Sequence, residues 1–453
     1  MTEIDLQVKN GKVYLEGRLQ SVDLWIKDGR IAEIGKSRRA SEVLDARGLI
    51  IIPGAIDMHV HFRDPGYTYK EDWMSGSASA AAGGVTCVVD QPNTDPQTLD
   101  SHSYREKLER AKSRSLVDFG LNGGPGGSEK VKQLAQMGAM AIGEIFTYEH
   151  DYDELKKILD YVNDSGLRPT IHAEDEAILR ECTTPLLGRR EPELYSQARP
   201  NRAEAVAIQK VLRMTNRAHI CHLSTQEGLN LIRSAREKGK KITCEVAPHH
   251  LIFTKKDWRS LGTFLKTNPP VRDSNDKMAL WEGLRRGEIE VLASDHAPHL
   301  PAEKKEEIWD APPGVPGVET IFPLMLNAVK SNFISMERML DAISNKPARI
   351  LGLTSKGRIA RGMDADLVFV NPRNSREIRA DDLHSGAEWT PFQGKRAIFP
   401  KITMVRGKVV AMDGEIVAKP GFGRYVPGSK VAAASSKEDD DYDEELENGT
   451  EET

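Results

Sequence analysis

Two histidines one residue apart, His59 and His61, stand in the stretch IIPGAIDMHVHFRDPG (residues 51–66), which opens as an apolar run and closes on Pro-Gly. Alternate side chains of a strand share a face, so the two imidazoles project together and can grip one metal ion. Groups of the same kind recur far along the chain: Glu144 in GEIF, His172 in TIHAED, His222 in HICHLST and Asp295 in LASDHAPH. Each sits in or at the end of a short apolar run that reads as a strand. Four imidazoles and two carboxylates form a donor set for zinc, with manganese or iron as less suited alternatives. A divalent cation held by such a set makes water a nucleophile near neutral pH, which is hydrolytic chemistry.

These groups need a scaffold that brings strand ends together. Eight strand candidates occupy the middle of the chain: GAIDMHVH, VTCVVDQP, LVDFGLNG, AMAIGEIF, RPTIHA, AHICHL, KITCEVAP and EIEVLASD. Helix-like segments such as DELKKILDYVNDSG, RAEAVAIQKVLRMTN and TQEGLNLIRSAREKGK lie between them. In the last of these, Leu229, Leu231, Ile232 and Ala235 mark one apolar face. Eight alternations predict an α/β chain with a (β/α)8 TIM-type barrel over 53–354, whose functional groups gather at the C-terminal ends of the strands. A doubly wound sheet is the competing architecture, but no GxGxxG follows the first strand. Both ends of the chain alternate apolar and polar residues around Asn-Gly and Asp-Gly, which is hairpin patterning. They predict one small β-sandwich-like domain assembled from 1–52 and 355–425.

The 453 residues include 39% hydrophobic and 29% charged positions. There is no apolar stretch long enough for a membrane helix, and the first residues lack a basic-then-apolar leader. Ten acids and one lysine between Lys437 and Thr453 outweigh the net charge of -5, so the rest of the chain is mildly basic. That suits a small anionic substrate and argues against nucleic acid. Residues 432–453 are expected to form a disordered acidic tail. The four cysteines, Cys87, Cys182, Cys221 and Cys244, have no metal-binding or disulfide spacing and are expected to be reduced thiols of a cytoplasmic protein. The loop from His299 to Thr320, rich in proline and charge, is expected to wall the pocket.

Taken together, DMHVHFRDPG, QPNT, IHAED, CEVAPHH, NPPVR and ASDHAPH resemble the dihydroorotases of the amidohydrolase superfamily, and the resemblance runs to about Tyr425. It implies a cyclic amidohydrolase in which His59, His61, His172, His222 and Asp295 bind zinc, one ion or two, and Asp295 moves the proton. It further implies that Arg63 binds a substrate carboxylate, that Asn93, Asn268 and His299 contact substrate along with His61, and that the backbone at Pro313 and Gly314 touches the ring. Many relatives bridge two metals with a carbamylated lysine where this chain has Glu144, a carboxylate on a shorter arm. The implied reaction interconverts N-carbamoyl-L-aspartate and L-dihydroorotate. A hydantoinase or allantoinase on the same site is the enzymatic alternative, and an inactive scaffold homologue the other. The resemblance also raises a homo-oligomer and association with aspartate transcarbamoylase as expectations. The sequence assigns no role to His102, His219, His250 and His296.

Overall fold

The computed structural model describes residues 4–35 and 39–428, so the acidic tail predicted for 432–453 lies outside the described residues. The eight predicted strands all form: β1 (Ala55–Val60), β2 (Val85–Asp90), β3 (Asp118–Leu121), β4 (Ile142–Phe146), β5 (Pro169–His172), β6 (Arg217–Ile220), β7 (Lys241–Val246) and β8 (Val291–Leu292). They are parallel throughout, β1 to β3 in one ladder and β4 to β8 in another. Parallel bridges Gly123–Ile142 and Val60–His296 join the two ladders at their edges, so the strands run round in chain order as a (β/α)8 barrel. Buried on both faces, such strands read in sequence as apolar runs rather than alternations.

The helices between them bury one face each. In Gln226–Glu237, Gly228, Leu229, Ile232 and Ala235 are buried while Leu231 is only partly so, and the Thr225 side chain caps the first turn. Trp73–Gly83 begins with a reciprocal cap between Asp72 and Ser75. No helix of the described residues is long and apolar enough to cross a membrane.

Strands from both ends of the chain share a seven-stranded sheet, in which Ile50–Pro53 lies between Lys12–Leu15 and Leu367–Val370. A second sheet of four strands is built from residues near the N-terminus alone. Val8, Leu24 and Ile26 from the smaller sheet pack with Val13, Ile51, Leu367, Phe369 and Met404 from the larger one. Asp28-Gly29 and Asp413-Gly414 do turn hairpins. Asn10-Gly11 does not, contrary to its hairpin signature: Ile4–Lys9 and Lys12–Leu15 belong to different sheets. Its glycine serves packing, since a Cβ there would lie 2.6 Å from Ile51 Cδ1.

A buried ion cluster ties the barrel to the terminal sheet. Lys356 Nζ lies 2.6 Å from Asp118 in β3, 2.7 Å from Asp366 and 3.1 Å from Asp364, and Arg406 also pairs with Asp118. Burial opposes the lysine's charge, but the surrounding carboxylates outweigh it and raise its pKa. Lys356→Met leaves two buried carboxylates, Asp118 and Asp366, and the partly buried Asp364 short of a cation. It is expected to cost about 3–5 kcal/mol of unfolding free energy, read from urea titration at neutral pH, whereas a shift below about 1 kcal/mol contradicts this account of the joint.

Candidate metal centre and active site

The C-terminal ends of the strands converge as predicted. His59 lies in β1 and His61 just past it, Glu144 in β4, His172 at the end of β5, His222 two residues past β6 and Asp295 three residues past β8. Their side chains meet in the barrel mouth. His172 Nδ1 and His222 Nε2 approach Glu144 Oε1 at 2.8 and 2.5 Å. His59 Nε2 is 3.6 Å from Glu144 Oε2 and 3.7 Å from Asp295 Oδ1, and His61 Nε2 is 3.4 Å from that same Asp295 oxygen. Two of the groups of candidate ligating atoms among the described residues face the mouth, one of His59, His61 and Glu144, the other of Glu144, His172 and His222. Glu144 belongs to both. One of its oxygens faces His172 and His222 and the other faces His59, from a point in β4 where the register with β5 shifts between Ile142 and Ile145.

The imidazoles are aimed by what holds their outer nitrogens. His59 Nδ1 pairs with Glu245 Oε1 at 2.5 Å, His61 Nδ1 with Asn93 Oδ1 at 2.8 Å, and His172 Nε2 with Glu174 Oε2 at 2.8 Å. A ring nitrogen that donates outward leaves its partner's lone pair facing inward, the arrangement metal ligands need. His59 Nε2 is buried there with no hydrogen-bond partner among the described residues, and so is His222 Nδ1. The donor set and this orphaned nitrogen fit a divalent cation. Burial opposes the charge of Asp295, yet its hydrogen bond with His61 and the nearby His59 and His222 hold it down at about 2. The same contest, won by His222, His172 and His59, holds Glu144 well below the usual carboxylate range. Arg63, His222 and Asp295 all adopt positive φ, at 60°, 30° and 49°. Such backbone costs of order 1–3 kcal/mol per residue and persists where surrounding structure imposes it.

One cavity of about 270 Å³ is lined by His61, Arg63, Asn93, Glu144, Phe146, Tyr148, His172, His222, Asn268, Asp295, Ala297, His299, Pro313 and Gly314. Every residue predicted for metal or substrate lines it except His59, which is buried behind. A wider cleft of about 830 Å³, lined by Tyr14, Arg338 and Arg358 among others, lies elsewhere and contains none of these groups. In the site cavity, Arg63 Nη2 lies 3.2 Å from His299 Nε2, and the Arg63 Nε is buried without a partner among the described residues. Lys70 Nζ is 3.1 Å from His299 Nδ1 and 2.7 Å from Glu303. Burial, with Arg63 and Lys70 close by, pushes the His299 pKa down and keeps its ring neutral. Tyr195 Oη donates to Asn268 Oδ1 at 2.6 Å, and the amide NH₂ of Asn268 has no hydrogen-bond partner among the described residues. The His299–Thr320 loop contributes His299, Pro313 and Gly314 to the wall, and the buried Lys304 Nζ donates to the carbonyls of Pro312 and Gly314.

Sequence reasoning missed Glu245, Glu174, Arg199 and Lys70. Glu245 near the end of β7 was open to the same strand-end rule that found the histidines. Glu174 repeats the one-residue gap of His59 and His61. His219 has no role in the sequence reading; its Nε2–H donates to Glu245 Oε2 at 3.0 Å, behind His59. His296 contacts Glu71, His250 the Pro269 carbonyl, and His102 is exposed on a helix. His249, also unassigned, is buried with neither ring nitrogen bonded among the described residues, and burial lowers its pKa to about 4.

Residues 50–410 match the model of the amidohydrolase family. The chain is 45% identical over 446 residues to a dihydroorotase of Methanosarcina mazei, covering 94% of this chain and 98% of that one. It is 35% identical over 450 residues to an allantoinase of Rubrobacter xylanophilus, with 94% and 98% covered. Among solved structures, the L-hydantoinase (dihydropyrimidinase) of Arthrobacter aurescens superposes with a TM-score of 0.89 at 32% identity, covering 94% of this chain and all of that one. The chain belongs to the amidohydrolase family.

Proposed function

We propose that the chain is a metal-dependent cyclic amide hydrolase, specifically a dihydroorotase that interconverts L-dihydroorotate and N-carbamoyl-L-aspartate, the third step of pyrimidine synthesis. The observation that carries the specific reading is Arg63. Its guanidinium lies in the same cavity as the histidine–carboxylate cluster and has no carboxylate within hydrogen-bond or ion-pair distance among the described residues. Dihydroorotate retains a carboxylate outside the bond that reacts, and a guanidinium offers such a group two parallel hydrogen bonds. Asn93 and Asn268 each have the carbonyl oxygen engaged, by His61 and Tyr195, and present amide donors beside it.

His59 and His61 with Asp295 would hold one cation, His172 and His222 a second, and Glu144 would span the two. Zinc suits these donors best. A cation bound there supplies an acidified water and polarises the scissile carbonyl oxygen. The protein's own part is then proton traffic and positioning. Asp295, kept ionised, takes a proton from the attacking water and returns it to the departing ring nitrogen. In the cyclising direction the same carboxylate accepts the proton of the ureido nitrogen. Arg63, Asn93, Asn268 and neutral His299 fix the substrate so that its carbonyl faces this centre. The reading places the enzyme in the cytoplasm, where four unpaired cysteines stay reduced.

Turnover of dihydroorotate, hydantoin and allantoin by the purified protein tests the assignment. Hydrolysis of the last two without dihydroorotate would replace it with the hydantoinase or allantoinase reading, and a stably folded protein inert to all three would favour the scaffold. Arg63→Ala is expected to raise the KM for dihydroorotate by about 100-fold, the loss of a charge-assisted pair. Metal content should stay at the wild-type value; a parallel fall in metal would show that the arginine serves the centre instead.

A further inference from the structure

Behind the cavity, one arginine touches the supports of both its halves. Arg199 follows the short helix Tyr195–Ala198 and is nearly buried, with 14% of its side chain exposed. Its Nε donates to both Glu174 oxygens, at 3.0 and 3.1 Å, and its Nη2 donates to Glu174 Oε2. Glu174, fully buried, faces His172 Nε2 at 2.8 Å, and His172 Nδ1 faces Glu144. The guanidinium carbon also lies 5.4 Å from the centre of the Tyr148 ring, which lines the cavity, and 6.0 Å from that of Tyr195, whose hydroxyl holds Asn268.

We propose that Arg199 is a positioning residue that fixes the metal half and the substrate half of this site at once. It acts through Glu174 on His172 and through the Tyr195 ring on Asn268. With the fork of Arg199 on Glu174, the carboxylate cannot rotate away, and its Oε2 accepts the His172 Nε2–H. That selects the tautomer whose Nδ1 lone pair would face a cation held between it and Glu144. With Arg199 against the Tyr195 ring, the hydroxyl stays on Asn268 Oδ1, and the Asn268 NH₂ keeps its aim into the cavity. Arginine suits both tasks because a planar fork binds a carboxylate in parallel and lies over aromatic rings.

This inference rests on the metal and substrate reading above, and its test separates the two. Zinc affinity is measured by competition with a chromogenic chelator, and kcat and KM with whichever cyclic amide the wild type turns over. Glu174→Gln is expected to weaken zinc about 10–100-fold, the usual effect of removing a ligand's outer partner, with KM within about threefold. Tyr195→Phe is expected to raise KM about tenfold with zinc affinity unchanged. Arg199→Met should do both, and Arg199→Lys, which keeps charge without the fork, should fall between. If Arg199→Met does not fold, Arg199→Lys carries the test. A folded Arg199 variant that lowers thermal stability while leaving zinc affinity and KM at wild-type values overturns the proposal, as does one that moves only one of the two. A wild type that hydrolyses hydantoin but not dihydroorotate corrects the substrate and leaves this test intact, since the KM is then read with hydantoin.

Discussion

Asp295→Asn is expected to lower kcat by about 10³-fold or more while shifting KM by less than about fivefold, since removing a positioned general base costs 10²–10⁴. The variant keeps the shape of the side chain and changes only what its oxygen can do. In the native chain that oxygen stands 3.4 Å from His61 Nε2 and 3.7 Å from His59 Nε2, and the imidazoles keep it ionised against the opposing effect of burial. An amide in that place neither carries the charge nor takes a proton at neutral pH. On the proposed reading His59, His61, Glu144, His172 and His222 would still hold cations, so metal content should fall by less than half while turnover falls far more. Steady-state kinetics alongside metal analysis of the same preparation reads the difference. A kcat within tenfold of wild type would move the base to another group and remove Asp295 from the chemistry.

The barrel was legible because its strands are covered on both faces. VTCVVD and AMAIGEIF carry no alternation to mislead, and their apolar character ends where the chain emerges into the mouth. Strand-end placement then found His59, His61, His172, His222 and Asp295, because parity and position along a strand decide what a side chain can reach. Asn10-Gly11 shows the limit of such local signals. The dipeptide favours a two-residue turn, but Ile4–Lys9 pairs with Asp23–Lys27 and Ala40–Asp45, Lys12–Leu15 pairs with Arg18–Gln20 and Ile50–Pro53, and packing against Ile51 claims the glycine. Arg199 shows a second limit. It lies 3.0 Å from Glu174 in space but sits after a short helix, in a segment with no periodic pattern tying it to the strand ends. A buried arginine there looks in sequence like any surface cation. Lys356 is similar: its three carboxylates come from β3 and from the entry to the terminal sheet, and only the fold brings them together.

Glu144→Gln is expected to have the other large effect, and it acts on the centre itself rather than on the proton. Glu144 is the one residue common to both ligating groups, and its two oxygens face different histidines. The amide variant retains one oxygen of similar reach but loses the negative charge that a carboxylate shared by two cations would supply. On the proposed two-zinc reading, bound zinc per chain should fall from about two to one or fewer, with kcat reduced about 10³-fold, since a centre that positions and acidifies water is worth several kcal/mol of barrier. Glu144→Asp separates charge from reach. It keeps the carboxylate but withdraws it by about 1.5 Å, one carbon–carbon bond, so its oxygens can no longer serve His172 and His222 while facing His59. The aspartate variant should therefore retain one cation tightly and the other weakly, with activity recovering as zinc is added. Stoichiometry by atomic absorption and activity across a zinc titration distinguish the variants. Should Glu144→Gln keep two tightly held cations and turn over within threefold of wild type, the carboxylate is a bystander in the cavity, and the cations are held by histidines and Asp295 alone.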